Sequence, residues 1–137
     1  MISGLVFIAL LHGFAEENPD CTTKKIVEYI RKTDTLSLRK CLHADRSCIN
    51  NFLDTKGSQT MLSVAIQAGN SVMVKYLLRH GADPGKEVRG RTPLIMTVRN
   101  NDKMILKQLL EAGADVNTRD RDGYSPIYWA VYKNDPE

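Results

Sequence analysis

The sequence repeats itself at an interval of about 33 residues, and this period constrains the fold more than any other feature. The segment YLLRHGADP at 76–84 recurs as QLLEAGADV at 108–116. Upstream of these, GRTPL at 90–94 is matched by GYSPI at 123–127 and, less closely, by GSQTML at 57–62. A unit of this length cannot bury its own apolar side, so such units are stable only when they stack on one another.

Within each unit the residues indicate two short helices. Thr92 can cap the first helix with its hydroxyl, and Pro93 suits the first helical position, where no N–H is needed. Gly81 and Gly113 stand where a second helix has to end, a place that favours a left-handed residue. The second helices show apolar residues at helical spacing: Val72, Met73, Tyr76 and Leu77, and then Ile105, Leu106, Leu109 and Leu110.

These motifs resemble the ankyrin-repeat family, whose unit is a β-turn followed by two antiparallel helices with a T-P-L-H-x-A signature. The signature stands here at 92–97, in degenerate form at 125–130 and more weakly at 60–65. The resemblance implies an all-α fold, a short ankyrin-repeat solenoid of helix-turn-helix repeats joined by β-turn loops. The sequence departs from the pattern where Met61 replaces the proline and where Ser63, Ile95 and Tyr128 replace the histidine.

The predicted organisation is a signal peptide at 1–15, a degenerate N-terminal capping repeat at 16–53, ankyrin repeats at 54–86 and 87–119, and an incomplete repeat at 120–137. The capping repeat rests on two stretches of helical spacing, one around Ile26 and Ile30 and one from Leu36 through Leu38, Cys41 and Leu42. The last repeat ends after its first helix, so Ile127, Trp129 and Val131 are expected to be partly uncovered. A fragment, a truncated product or half of an assembly would each explain that ending.

The first fifteen residues carry no charged side chain and are apolar from Ile2 to Phe14. Gly13 and Ala15 are small residues where a signal peptidase needs them, so the pattern predicts secretion with cleavage after Ala15 and no membrane attachment afterwards. No Lys or Arg precedes the apolar run. The alternative is therefore a cytoplasmic protein whose apolar N-terminal helix covers the open end of the stack.

Three cysteines, Cys21, Cys41 and Cys48, follow the predicted signal peptide. In an oxidising compartment one pair could bridge, and a Cys41–Cys48 bridge would close a short loop. In the cytosol all three would be small buried apolar groups, and their irregular spacing favours this second interpretation slightly.

The sequence contains no catalytic signature, neither a phosphate-binding glycine loop nor a hydrolase or metalloprotease motif. Cys41, His43 and Cys48 offer only three candidate metal ligands, fewer than a structural zinc site needs. Asp83, Asp115, Asp120 and Asp122 are explained by repeat position and turn chemistry. We therefore expect no enzyme activity, no cofactor and no metal.

In the ankyrin family, partners contact the β-turn tips and the exposed side of the first helices. Carried over by resemblance, with Gln59 as an additional turn residue, the predicted partner-binding residues here are Lys56, Gln67, Lys86, Arg89, Arg91, Arg99, Asn100, Arg119, Arg121, Tyr124, Tyr132 and Lys133. Most are basic and Asp122 is the one acid placed among them, so the hypothesis is a face for an acidic protein segment, anchored by Tyr124, Tyr132 and Arg99. Tyr128 and Trp129 are interpreted as core side chains.

Three alternatives remain at this point. The first is that these residues form only a solvated polar face, which would also be rich in charge. The second is nucleic-acid binding through the same basic face. The formal net charge of only +3 and the lack of aromatic residues interleaved at regular spacing argue against it. A secreted toxin or host-directed effector is the third, supported by the predicted signal peptide and by a resemblance to venom and parasite proteins that carry such repeats.

Overall fold

The computed structural model describes residues 21–44 and 46–134, and within them it is all-helical. The α-helices, numbered here in chain order, are α1 Thr23–Arg31, α2 Thr35–Ala44, α3 Met61–Gln67, α4 Ser71–Arg79, α5 Pro93–Asn100, α6 Lys103–Glu111 and α7 Pro126–Asn134. A 3₁₀ helix at Arg46–Asn50 follows α2. The expected all-α fold is confirmed.

The helices form two layers. The pairs α1/α2, α3/α4 and α5/α6 each pack together, and the first helices α1, α3, α5 and α7 also contact one another in sequence. In the other layer α4 packs on α6. This nearest-neighbour arrangement is the short ankyrin-repeat solenoid that the period predicted.

The predicted helix ends are confirmed at several positions. The hydroxyl of Thr92 accepts a hydrogen bond from the N–H of Ile95, with Pro93 at the start of α5. Gly81 and Gly113 have φ angles of 96° and 86°, in the left-handed region that glycine adopts without strain. Where the first repeat lacks the family's proline and histidine, Thr60 and Ser63 form a reciprocal capping box instead.

One core joins all the helix pairs. Its fully buried side chains come from both layers and include Ile30, Leu38, Met61, Ile66, Met73, Leu77, Leu94, Ile105 and Leu109. The second helix expected from Leu36, Leu38, Cys41 and Leu42 is present as α2, although the Leu36 side chain is 66% exposed. It lies in the first turn of α2, whereas Leu38, Cys41 and Leu42 face the core.

Asparagine side chains connect consecutive repeats by hydrogen bonds to main-chain atoms. Asn50 donates to the carbonyl of Gly81 (3.0 Å) and accepts from the N–H of Asp83 (2.7 Å). Asn70 caps α4 and also donates to the carbonyl of Ile30 at 2.9 Å. These bonds hold the register between neighbouring repeats in addition to the apolar packing.

The structure agrees with the interpretation in which one pair of cysteines is bridged and one thiol is left outside the bridge. Cys21 and Cys41 form a disulfide with Cα atoms 5.5 Å apart, which fastens the chain before α1 to α2. Cys48 lies half-buried outside this bond, so the particular pair Cys41–Cys48 and the fully reduced state are both wrong for this structure. Cys48 is closer to Cys41 in sequence, but the antiparallel helix hairpin brings Cys21, just before α1, beside Cys41 on α2. The loop of 20 residues closed by the bond accounts for about 3 kcal/mol on the chain-entropy model.

The predicted signal peptide at 1–15 lies outside the described residues, so its cleavage stays a prediction. Within the described part of the chain, no helix is both long enough and apolar enough to cross a membrane. As expected for the last repeat, Ile127 on α7 is 73% exposed and Val131 is also exposed.

Candidate partner-binding face

The turn of the second complete repeat is a tight two-residue hairpin. Val88 and Arg91 exchange backbone hydrogen bonds of 2.9 and 3.1 Å across it. The two residues between them, Arg89 and Gly90, have φ angles of 54° and 71°, the combination of a type I′ turn. Arginine is an unusual residue at such a position, where glycine, asparagine and aspartate are preferred, so Arg89 is held exposed at the tip at a conformational cost.

Neighbouring turn tips touch directly. The N–H of Arg121 donates to the carbonyl of Gly90 at 2.9 Å. A Cβ atom on Gly90 would lie only 3.0 Å from the Cβ of Arg121, so glycine is needed there for the approach as well as for φ. The contact places Arg121 against the tip of the preceding turn, next to the residue that follows Arg89.

Asp120 holds the third turn together from inside. Its carboxylate accepts hydrogen bonds from the N–H groups of Asp122 (3.1 Å) and Tyr124 (2.9 Å), and its second oxygen accepts from the indole N–H of Trp129 at 2.7 Å. Burial acts to raise the pKa of Asp120. The bonds from Tyr124 and Trp129, with the nearby charge of Arg91, outweigh burial and keep the pKa below its ordinary value.

Asp54 performs the same task in the first complete repeat. Its carboxylate accepts from both the hydroxyl and the N–H of Ser58, and these bonds lower its pKa, with a smaller contribution from the charge of Arg89. Ser58, which the sequence analysis placed in the turn, is thereby buried. The two arginines Arg89 and Arg91 thus each lie near one acid of a turn.

Three tyrosines form a stacked ladder that begins in the turn before α7 with Tyr124 and continues along that helix. The rings of Tyr124 and Tyr128 have centroids 4.1 Å apart and those of Tyr128 and Tyr132 6.2 Å, each pair inclined by 12°. Their side chains are 40%, 41% and 63% exposed in chain order. Tyr128 is therefore part of the exposed face and not of the core to which the sequence analysis assigned it.

Trp129 is the half-buried base of this aromatic group. Its ring meets the edges or faces of all three tyrosines at 5.7–5.8 Å between centroids, at nearly right angles. On α5, the guanidinium carbon of Arg99 lies 4.1 Å from the centre of the Trp129 ring. This cation–π contact between neighbouring repeats fixes an arginine next to the ladder.

The structure leaves most of the predicted residues accessible but does not bring them all together. Lys86, Arg91 and Arg99 are half-buried, and the exposed ones are Lys56, Gln67, Arg89, Asn100, Arg119, Arg121, Tyr124, Tyr132 and Lys133. Several of these side chains also make contacts within the protein. Asn100 donates to the carbonyl of Ile66, Arg119 to that of Gly123, and Lys86 lies over the ring of Phe52.

Lys133 stands apart from the turn tips, because it shares a cleft with Asp102 and Lys103 at the start of α6. Sequence reasoning missed two exposed aromatic residues, Tyr128 and Phe52. The signal for Tyr128 was present, since tyrosines at 124, 128 and 132 recur every four residues and so share one side of a helix.

The fold and this face define a helical repeat protein with an accessible surface on its turns and first helices. A family model for ankyrin repeats in three copies matches residues 9–120 and 62–137. The chain belongs to the ankyrin repeat family. Ankyrin repeats are generally protein–protein interaction modules and are typically not catalytic.

Several curated proteins are similar to the chain. It is 39% identical over 84 residues to alpha-latrocrustotoxin-Lt1a of Latrodectus tredecimguttatus, across 61% of this chain and 6% of that protein. It is 34% identical over 112 residues to inversin of Homo sapiens, which covers 73% of this chain and 10% of inversin. It is 25% identical over 126 residues to an ankyrin repeat protein of Borreliella burgdorferi, which covers 82% of this chain and 57% of that protein. The chain thus spans less than two thirds of these relatives.

Replacing Arg89 by glycine should stabilise the fold. Glycine removes the left-handed strain, while its greater freedom in the unfolded chain offsets part of the gain, so the free energy of unfolding should rise by about 0.5–1 kcal/mol. Urea denaturation measures this. Arg119→Gly is the control, because Arg119 is not in the left-handed region, and it should not raise the free energy of unfolding. If Arg89→Gly leaves the free energy of unfolding unchanged or lowers it, the turn is not strained at Arg89.

Replacing Asp120 by asparagine should lower the free energy of unfolding at pH 7 by about 1–3 kcal/mol, because an amide cannot accept all the bonds that the carboxylate receives. The folded-state pKa is depressed, so the carboxylate's contribution is complete above the ordinary value of about 3.9 and is lost as the pH falls through the folded pKa. The difference in free energy of unfolding between the wild type and the Asp120→Asn variant should therefore become smaller below about pH 4. Denaturation curves at several pH values test this, and a difference that grows in acid would contradict it.

Proposed function

We propose that the chain is a non-catalytic binding module that captures an acidic segment of another protein on its turn tips and first helices. The observation that carries the proposal is the exposed ladder of Tyr124, Tyr128 and Tyr132, with Arg99 fixed beside it by Trp129. Tyrosine, tryptophan and arginine are the residue types that dominate the energy of protein interfaces. Here they are grouped on one helix, the turn before it and a neighbouring helix.

Preorganisation supports the choice of the ladder as the anchor. The tyrosine rings are already stacked and Arg99 is already held, so little side-chain freedom is left to lose on binding. All three tyrosines are exposed in part, and a tyrosine offers a peptide both an apolar ring and a polar hydroxyl.

The charges support an acidic partner. Arg89 and Arg121 are exposed on two turns that touch at Gly90, and Arg119 lies in the same turn as Arg121. Asp54 and Asp120 have their oxygens engaged in bonds within the turns, so they oppose the arginines only in part. Exposed pairs add about 0–1 kcal/mol each, so the arginines contribute mainly to encounter rate and partner selection.

Nucleic acid is less well supported as the ligand. Bases are bound by stacking on open aromatic faces, and here Tyr124 and Tyr128 stack on each other with centroids 4.1 Å apart, which occupies one face of each ring. A secreted toxin or host-directed effector remains the second candidate for the whole protein. Two observations favour it, the apolar run at 2–14 and the similarity to alpha-latrocrustotoxin-Lt1a.

Selection of peptides from a random display library against the folded chain tests the binding proposal. Selected peptides should be enriched in Asp and Glu, and their affinity should fall at least tenfold for Arg89→Glu/Arg121→Glu and for Tyr124→Ala/Tyr132→Ala. Arg91 and Arg99 are left unchanged, because they interact with Asp120 and Trp129.

The matched control is Lys75→Glu/Lys107→Glu on α4 and α6, which changes the net charge by the same amount on the exposed second-helix layer. It should bind the selected peptides as the wild type does. Peptides without acidic enrichment, or equal losses for the two charge-reversed proteins, would reject the proposed face.

Secretion into an oxidising compartment is part of the proposal. The apolar, uncharged N-terminus and the Cys21–Cys41 disulfide support it. Expression of the complete sequence in a secreting host should yield a chain in the medium that begins at Glu16 and is about 2 Da lighter than its fully reduced form. Intact-mass analysis and N-terminal sequencing measure both. A chain that keeps Met1 and stays in the cells would contradict secretion.

A further inference from the structure

A second charged surface lies where α2, the 3₁₀ helix and the end of α4 meet. Its cleft of about 370 Å³ is lined by Arg39, Leu42, His43, Arg46, Tyr76 and His80. An adjoining cleft of about 340 Å³ shares Leu42, Arg46 and His80 and adds Arg79. None of the residues predicted for partner binding lines either cleft, so this surface is distinct from the face described above.

The two clefts have an apolar floor and cationic walls. Leu42 and Ile49 are buried beneath them, whereas Arg39, Arg46 and Arg79 are exposed at their edges. Among the described residues that line them, none is acidic. The arginines come from three separate elements, so the fold is what brings them to one place.

Helix ends oppose this positive charge, but only in part. The C-terminal ends of α2 and α4 lie at the clefts, and each carries the equivalent of about −0.5 charge. The three guanidinium groups carry three full positive charges, since arginine does not lose its proton in proteins. Among the described groups that line the clefts, the arginines and the helix ends leave a balance of about two positive charges.

Several lining groups are already oriented. Nδ1 of His80 contacts the carbonyl oxygen of Tyr76 at 2.8 Å, and its ring stacks on the Tyr76 ring with centroids 4.1 Å apart. Arg39 donates through Nε to His43 at 3.4 Å, which leaves the two terminal nitrogens of its guanidinium for a ligand.

The Tyr76 hydroxyl is an additional unmatched group beside the cleft. It is buried and has no hydrogen-bond partner among the described residues, and burial raises the pKa of this phenol against the opposing charge of Arg39. A polar atom that is covered and unpartnered is uncommon in native proteins and indicates a place where a partner group is missing.

We propose that these two adjoining clefts between α2, the 3₁₀ helix and α4 bind a phosphomonoester dianion, with Arg46, which lines both clefts, as the central ligand, Arg39 beside it in the first cleft and Arg79 in the second. A single arginine satisfies the two oxygens of a carboxylate, whereas guanidinium groups supplied by separate elements can serve the three acceptor oxygens and double charge of a phosphate. Leu42 and Ile49 would contact the carbon stem that bears it. The phosphate can be carried by a protein side chain or by a small molecule.

Titration of the full chain with inorganic phosphate and with a short phosphoserine peptide, at constant ionic strength, tests this inference. Chemical shifts should change for backbone amides at 39–43, 46–49 and 76–81 with phosphate and with sulfate, which is also a tetrahedral dianion, and much less with chloride. A peptide that binds at least tenfold more tightly than inorganic phosphate identifies a phosphorylated protein as the source, and equal affinities identify a small phosphorylated molecule. The unphosphorylated peptide should cause no such changes.

Arg39→Gln/Arg46→Gln should weaken phosphate binding at least tenfold, while Lys103→Gln/Lys107→Gln, with the same loss of charge, should leave it unchanged. Thermal unfolding of each variant verifies that it is folded. Equal binding by the two double variants, shift changes spread over the whole surface, or equal effects of phosphate, sulfate and chloride would overturn the inference. The peptide-selection variants Arg89→Glu/Arg121→Glu keep this cleft intact, so the two binding proposals fail independently.

Discussion

Packing between successive first helices is the interaction on which the rest of this structure depends. No single repeat buries its apolar side alone, and residues such as Met61, Ile66 and Leu94 are covered only because α1, α3, α5 and α7 lie against one another. The side-chain hydrogen bonds of Asn50 and Asn70 to main-chain atoms of neighbouring repeats fix the register of this packing. Once the helices are in register, the turns that precede them are placed within contact distance of each other.

Both candidate surfaces are consequences of that register. The turn tips meet at Gly90 and Arg121, and Arg99 reaches Trp129 because α5 and α7 are neighbours. The cleft on the other layer needs α2 and α4 to end near the 3₁₀ helix. The first surface is aromatic with arginines around it, whereas the second is cationic over an apolar floor. A single stack of repeats can therefore offer two chemically different sites whose substitutions are expected to act separately.

Much of the fold could be predicted, because the features that define a repeat are local. The hydroxyl of Thr92, the proline at 93 and the glycines at 81 and 113 act within a few residues of themselves, and all are found in their predicted roles. Features that depend on distant partners were missed or misassigned. Leu36 obeys helical spacing but lies at the start of α2 on the exposed side, and Tyr128 occupies a signature position yet stacks between two other tyrosines in the open.

The sequence by itself determined the repeat, its two helices and the residue types at the turns, because capping, turn formation and helical spacing depend on near neighbours along the chain. Only the tertiary structure decided that Cys21 pairs with Cys41, that Arg89 stands in a left-handed turn, and that arginines from three elements line two adjoining clefts. These features require residues far apart in sequence to meet. The helix hairpins and the stacking of repeats bring such residues together, and spacing along the chain does not encode that contact.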